Sequence, residues 1–182
     1  MPANLDDLLL RLGSRARLVR HADLPGKIDS ARQFAEAVGC RAERVAKTLI
    51  LCAQRQRAPV AAPYPLHAAV VLAVTDVADL DVVAASLSGH RPRLASRGEL
   101  RHLLGTLPGA VSPFWTGAIP VYVDVKLLAL DTVFVGGGER GIDIEIAPRD
   151  LVEATNATVG PYSRSFAEHA ANVGGLRRQM PT

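Results

Sequence analysis

Two apolar runs set the frame of this chain. Residues 45–53 read Val-Ala-Lys-Thr-Leu-Ile-Leu-Cys-Ala, and residues 67–75 read His-Ala-Ala-Val-Val-Leu-Ala-Val-Thr. Both are short and rich in β-branched side chains, which predicts two strands, the second one buried. Alternation within the first puts Lys47, Leu49 and Leu51 on one face and Ala46, Thr48 and Ile50 on the other. Further strands are predicted over residues 17–21, 93–95, 119–123, 133–135 and 142–146, the last two paired around a glycine turn. Helix signals fall between them. Asn4 can cap a helix through Leu12 that Gly13 stops. The capping-box patterns Ser30-Ala-Arg-Gln33 and Ser96-Arg-Gly-Glu99 open helices that Gly39 and Gly105 close. Residues 80–87 read as a helix ending near Gly89, and Pro148 takes the first position of a last helix through Ala154. Pro59, Pro63 and Pro65 mark a loop, as do the glycines and prolines of 106–118. Residues 161–182 lack periodicity, so the expectation is one domain over 1–160 and a partly ordered tail over 161–182.

Several neighbouring strands are joined by turns too short for a parallel crossover. This favours an α+β fold with a mixed or antiparallel sheet over a doubly wound one. The length of 182 residues agrees with one domain, and 48% hydrophobic with 21% charged residues excludes disorder as the overall state. The longest apolar run, 68–74, has seven residues, well short of the roughly 18 that span a bilayer. The first residues carry acid where an export signal carries base. Cys40 and Cys52, twelve apart, fit no zinc or redox spacing, so no metal site is expected and the expected compartment is the reducing cytoplasm. A net charge of +3 permits a polyanionic partner without demanding one.

Three places carry candidate chemistry. Lys47 shares its face with two leucines, and burying a lone cation there is costly. Two readings stay open: the lysine begins the strand and carries its ammonium out to water, or it stands at a pocket mouth and meets a phosphate or carbonyl oxygen. The loop Gly109-Ala-Val-Ser-Pro113 has a shape fixed by Gly and Pro, with small residues that let a ligand approach the main chain; it also reads as an ordinary connection. Gly136-Gly-Gly-Glu-Arg-Gly141 reads as a hairpin turn, although three successive glycines exceed what a hairpin needs. No Walker A, His-Glu-x-x-His or Gly-x-Ser-x-Gly pattern is present, and the histidines at 21, 67, 90, 102 and 169 are scattered. Asp76, Asp79 and Asp81 precede a helix, where capping is expected rather than metal binding.

In order along the chain, these pieces resemble the YbaK/prolyl-tRNA-synthetase-associated editing domain family. The series is Ala46-Lys-Thr-Leu-Ile-Leu51, residues 67–74, Leu94-Ala-Ser96, Gly109-Ala-Val-Ser-Pro-Phe114, Ile119-Pro-Val-Tyr-Val-Asp124, and residues 135–146 with Asp150-Leu151. The resemblance runs over about 17–160. It implies a single compact α+β domain built on a mixed, barrel-like sheet flanked by helices. It implies hydrolysis of the aminoacyl ester of mischarged tRNA, most of all tRNA(Pro) carrying Cys or Ala, without cofactor or metal. Mischarged tRNA is the implied partner, with prolyl-tRNA synthetase beside it. Lys47 matches the family's functional lysine and is the implied catalytic residue. Thr48, the loop residues Gly109, Ala110, Val111, Ser112 and Pro113, the segment Gly136, Gly137 and Gly138, and Asp143 match substrate-binding positions. His21 falls roughly where some members have a tyrosine. Gly136 stands where relatives often have Ser, and Glu139 where Lys is common.

The chemistry suits such a site. An aminoacyl ester is already activated, so a positioned water and N–H groups aimed at the developing oxyanion suffice without a Ser-His pair. The alternative is a non-catalytic module that binds tRNA ends or nucleotides and acts with a synthetase partner.

Overall fold

Four helices begin where a side chain accepts free amides of the first turn. The computed structural model describes residues 4–53, 67–87 and 91–166. Its helices are α1 (Leu5–Leu12), α2 (Ala31–Val38), α3 (Leu80–Ser86), α4 (Arg97–Leu104) and α5 (Pro148–Thr155). Asn4, Ser30, Asp79 and Ser96 cap the first four, and α5 starts on Pro148. Only Ser96 and Glu99 form the full reciprocal box. Gln33 Oε1 accepts from the Asp29 amide and the Ser30 hydroxyl rather than from the Ser30 amide. Gly39 and Gly105 end α2 and α4 in the left-handed region, where glycine has no Cβ penalty. Asp79 does the capping expected of the aspartate cluster, whereas Asp76 belongs to a strand.

The strands are β1 (Ala16–Arg20), β2 (Ala46–Ala53), β3 (His67–Ala73), β4 (Asp76–Ala78), β5 (Pro92–Leu94), β6 (Val121–Asp124), β7 (Val133–Gly136), β8 (Ile142–Ile146), β9 (Thr158–Gly160) and β10 (Ser163–Ser165). They make a five-stranded sheet in the order β5-β2-β3-β6-β9, a three-stranded sheet β1-β8-β7 and the pair β10-β4. The large sheet is mixed: β5, β2 and β3 pair antiparallel, while β3-β6 and β6-β9 are parallel. This is the α+β architecture with a mixed sheet that the sequence implies. The barrel-like wrap comes from two sheets folded over one core and touching at an isolated parallel bridge, Val45–Phe134; the described ladders do not close into one cylinder.

That core takes Ile50, Val71 and Val123 from the large sheet and Val135, Ile144 and Ile146 from the small one, with Leu8, Leu100 and Leu151 from helices. Each such side chain contributes roughly 1.5–3 kcal/mol by leaving water. The opposite face of the large sheet is covered by Val83 from α3, by Leu87 just after it and by Tyr162. β3 therefore lies between two apolar layers, which is why Ala68 to Ala73 are all buried and the run shows no alternation. β4, β9 and β10 are missing from the sequence reading, since three polar or glycine-containing residues give no period. β10 supplies order beyond residue 160: its Arg164 holds the Asp79 carboxylate with Nε at 2.5 Å and Nη2 at 2.7 Å. The proline loop at 59–65, Gly89 and residues 167–182 lie outside the described residues.

Candidate active site

β2 pairs with β3 over its length on one edge, but its other edge meets β5 only from Leu51. At its start it touches β7 through the Val45–Phe134 bridge. Between these two points the edge is open, and a cavity of about 770 Å³ fills the gap. Six consecutive residues, 45–50, line it, as an open strand edge does; a cavity on one face would take every second residue. The other walls come from the start of α2 with Phe34, from Leu94 to Val111 through α4, and from the β7–β8 hairpin with Gly136, Arg140, Gly141 and Asp143.

On the hairpin wall, His21 Nε2 donates to Asp143 Oδ2 at 2.7 Å, and the His21 amide donates to Gly141 O. The imidazole packs on Phe34 with ring centroids 4.9 Å apart. Burial pushes the Asp143 carboxyl above its ordinary pKa, with His21 opposing that shift.

Lys47 answers both open readings in part. It shares the face of Leu49 and Leu51, as alternation requires, yet its ammonium is neither free nor lost. Nζ donates to Asp76 O at 2.6 Å and Val74 O at 3.3 Å, and lies 5.8 Å from the Phe166 ring centroid. Burial pushes its pKa down, partly offset by the Asp76 charge. An ammonium has three N–H donors, so one remains after these two bonds. Thr48, on the other face, has a buried hydroxyl with no hydrogen-bond partner among the described residues.

The glycines have distinct physical causes. A Cβ on Gly136 would stand 2.7 Å from Val111 O, so glycine lets the 109–113 loop close onto β7. On Gly137 it would strike the Ile142 side chain at 2.6 Å, and on Gly138, at φ +89°, the Trp115 ring at 2.9 Å. Of the three, Gly136 lines the cavity; Gly137 and Gly138 are glycine because the protein itself approaches them. In the 109–113 loop, Gly109 and Val111 line the cavity, and the Arg140 guanidinium lies 3.9 Å from where a Gly109 Cβ would be. Ala110, Ser112 and Pro113 do not line it. The Ala110 amide donates to Leu107 O, its carbonyl accepts from Thr106 Oγ1, and Ser112 Oγ accepts from the Phe114 amide.

The cavity thus collects His21, Lys47, Thr48, Gly109, Val111, Gly136 and Asp143 from four separate stretches. Sequence reasoning missed the α2 wall and Phe34, whose capping and apolar signals speak only of a helix. It quoted Arg140 within the glycine string without assigning it a role. No group of three His, Cys, Asp or Glu side chains among the described residues could hold a metal.

The model of the aminoacyl-tRNA editing domain family matches residues 26–154, which include most of these walls. The chain belongs to the aminoacyl-tRNA editing domain family. An uncharacterised protein, YwhH, of Bacillus subtilis (strain 168) is 28% identical over 125 residues, 68% of this chain and 73% of that one. Among solved structures, a candidate trans-editing enzyme for prolyl tRNA synthetase superposes with a TM-score of 0.71 at 22% identity, covering 91% of this chain and 99% of that one. A hypothetical protein, APE2540, gives 0.72 at 27% identity, covering 88% and 99%. Glycine at 136 has a local cause: the Val111 carbonyl occupies the space of a Cβ. Glu139 is exposed and does not line the cavity.

Proposed function

We propose that this editing domain hydrolyses, in trans, the ester of mischarged tRNA, with tRNA(Pro) carrying alanine or cysteine as substrate and prolyl-tRNA synthetase as the enzyme whose errors it corrects. What supports this reading most is the single cavity into which separate chain stretches deliver Lys47, Thr48, Gly109, Gly136 and Asp143. Water adds to the ester carbonyl carbon, the bond to the ribose oxygen breaks, that oxygen takes a proton, and the free amino acid leaves. Because the ester is activated, main-chain donors and a held water carry most of the work. Lys47 is the catalytic cation, its remaining N–H directed to the terminal phosphate or the ester carbonyl. The His21–Asp143 pair gives a fixed polar group on the hairpin wall of the cavity. The substrate's ribose hydroxyl completes the proton handling. Selection against proline is steric, set by Val111 and its neighbours, and hydrophobic fit of this kind discriminates by about 1–3 kcal/mol.

The test is amino-acid release from tRNA(Pro) charged in turn with Ala, Cys, Ser and Pro. Binding of these tRNAs without release identifies the non-catalytic module instead.

A further inference from the structure

The opening in the sheet at β2 is short, spanning residues 46–49. The Ala95 amide donates to Ile50 O and so closes it at one end; the Val45–Phe134 bridge closes it at the other. Along a strand, the N–H and C=O of one residue point to the same edge, and successive residues alternate. Val45 O accepts from Val74 on the β3 side, and Ile50 O accepts from Ala95 on the β5 side. Thr48 therefore aims its main-chain N–H and C=O at the same edge as Ile50, where no strand among the described residues pairs with it, and Thr48 lines the cavity. Its hydroxyl is buried as well, without a partner among the described residues. Unpaired main-chain groups in a protein interior are costly, so an opening of this kind fits a ligand that supplies what the missing strand would.

We infer that the free edge at Thr48 binds the aminoacyl group as one residue of an added β-strand, Thr48 N–H donating to the ester carbonyl oxygen and Thr48 C=O accepting from the α-ammonium. In a hydrogen-bonded antiparallel pair, two residues exchange both N–H···O=C bonds. An α-aminoacyl ester carries the same donor and acceptor across one Cα. Between the ends at Val45 and Ile50 only Ala46 and Thr48 turn main-chain groups to this edge, a stretch too short for an added peptide strand, which distinguishes this from ordinary strand addition. The inference rests on the deacylase reading and deepens it: the N–H that binds the carbonyl in the ground state also faces the oxyanion as it develops. It makes the α-amine a recognised feature for any side chain, leaving side-chain selection to the rest of the cavity.

The test uses the full chain labelled with 15N and two non-hydrolysable probes, 3′-alanylamido-3′-deoxyadenosine and its 3′-propionylamido counterpart, which lacks only the α-amine. The expected result is a downfield shift of the Thr48 amide proton with the alanyl probe, and binding of that probe about tenfold or more tighter than the propionyl probe, the scale of one charge-assisted hydrogen bond. Equal affinity for the two, or a Thr48 amide that moves with neither, overturns the inference. The same preparation is assayed on alanyl-tRNA(Pro). Deacylation without a Thr48 response overturns this inference alone, and a Thr48 response without deacylation upholds it while overturning the hydrolytic reading.

Discussion

His21 Nε2 donates to Asp143 Oδ2 at 2.7 Å, tying the residue that follows β1 to the start of β8 at the cavity wall. Burial raises the Asp143 carboxyl above its ordinary range. A carboxyl with a raised folded pKa holds its proton more tightly folded than unfolded, so its contribution to stability is present at low pH and lost as pH rises through the folded value. Asp143→Asn removes a buried charge and is expected to melt no lower than wild type at pH 7, with any gain vanishing in acid. If the ionised carboxylate serves the reaction, the acid limb of wild-type deacylation begins above the ordinary carboxylate pKa of about 3.9 and disappears in the variant. A pH–rate profile for both proteins checks this; an unchanged acid limb removes Asp143 from the chemistry.

Lys47→Ala is expected to lower deacylation by two orders of magnitude or more. It also frees the carbonyls of Val74 and Asp76, and hydrogen bonds to a charged group are worth about 1.5–3 kcal/mol, so the variant should melt somewhat lower. Rates and melts measured together separate the roles: retained activity in a less stable protein would make the lysine structural only.

Gly136→Ser tests the packing of the 109–113 loop. A Cβ 2.7 Å from Val111 O forces main chain apart, and overpacking of this kind costs about 1–3 kcal/mol. Both the melting temperature and kcat/KM should fall. A serine accepted without loss would mean that the loop has room to spare.

Val111→Leu should narrow the cavity, and Ala110→Leu should not, because only Val111 lines it. The expected result for Val111→Leu is a roughly tenfold or greater loss on cysteinyl-tRNA with a smaller loss on alanyl-tRNA. Relative rates on the two substrates decide; a selective effect from Ala110→Leu would contradict this wall of the cavity.

Much of this was legible in the sequence for identifiable reasons. Gly39, Gly105, Ser96 and Asn4 each have a local backbone task that their chemistry announces, so helix ends agree with the expected positions within a residue or so. Lys47 and Thr48 could be assigned to opposite faces because β2 has no bulge between Ala46 and Cys52. The glycine string was legible as special but not as to cause, since the neighbours of Gly137 and Gly138, Ile142 and Trp115, reach them through tertiary packing. The parallel pairing of β9 and the open edge at Thr48 arise from which strands end up adjacent, and no local pattern records that.

The central claim is hydrolysis of a mischarged ester at the β2 cavity. Its most direct measurement is the initial rate of amino-acid release from alanyl- and prolyl-tRNA(Pro) by wild type and Lys47→Ala side by side. The expected result is release of alanine well above the uncatalysed rate, little release of proline, and loss of alanine release in the variant. Release no faster than the uncatalysed rate for wild type, or equal rates for wild type and Lys47→Ala, would contradict the account.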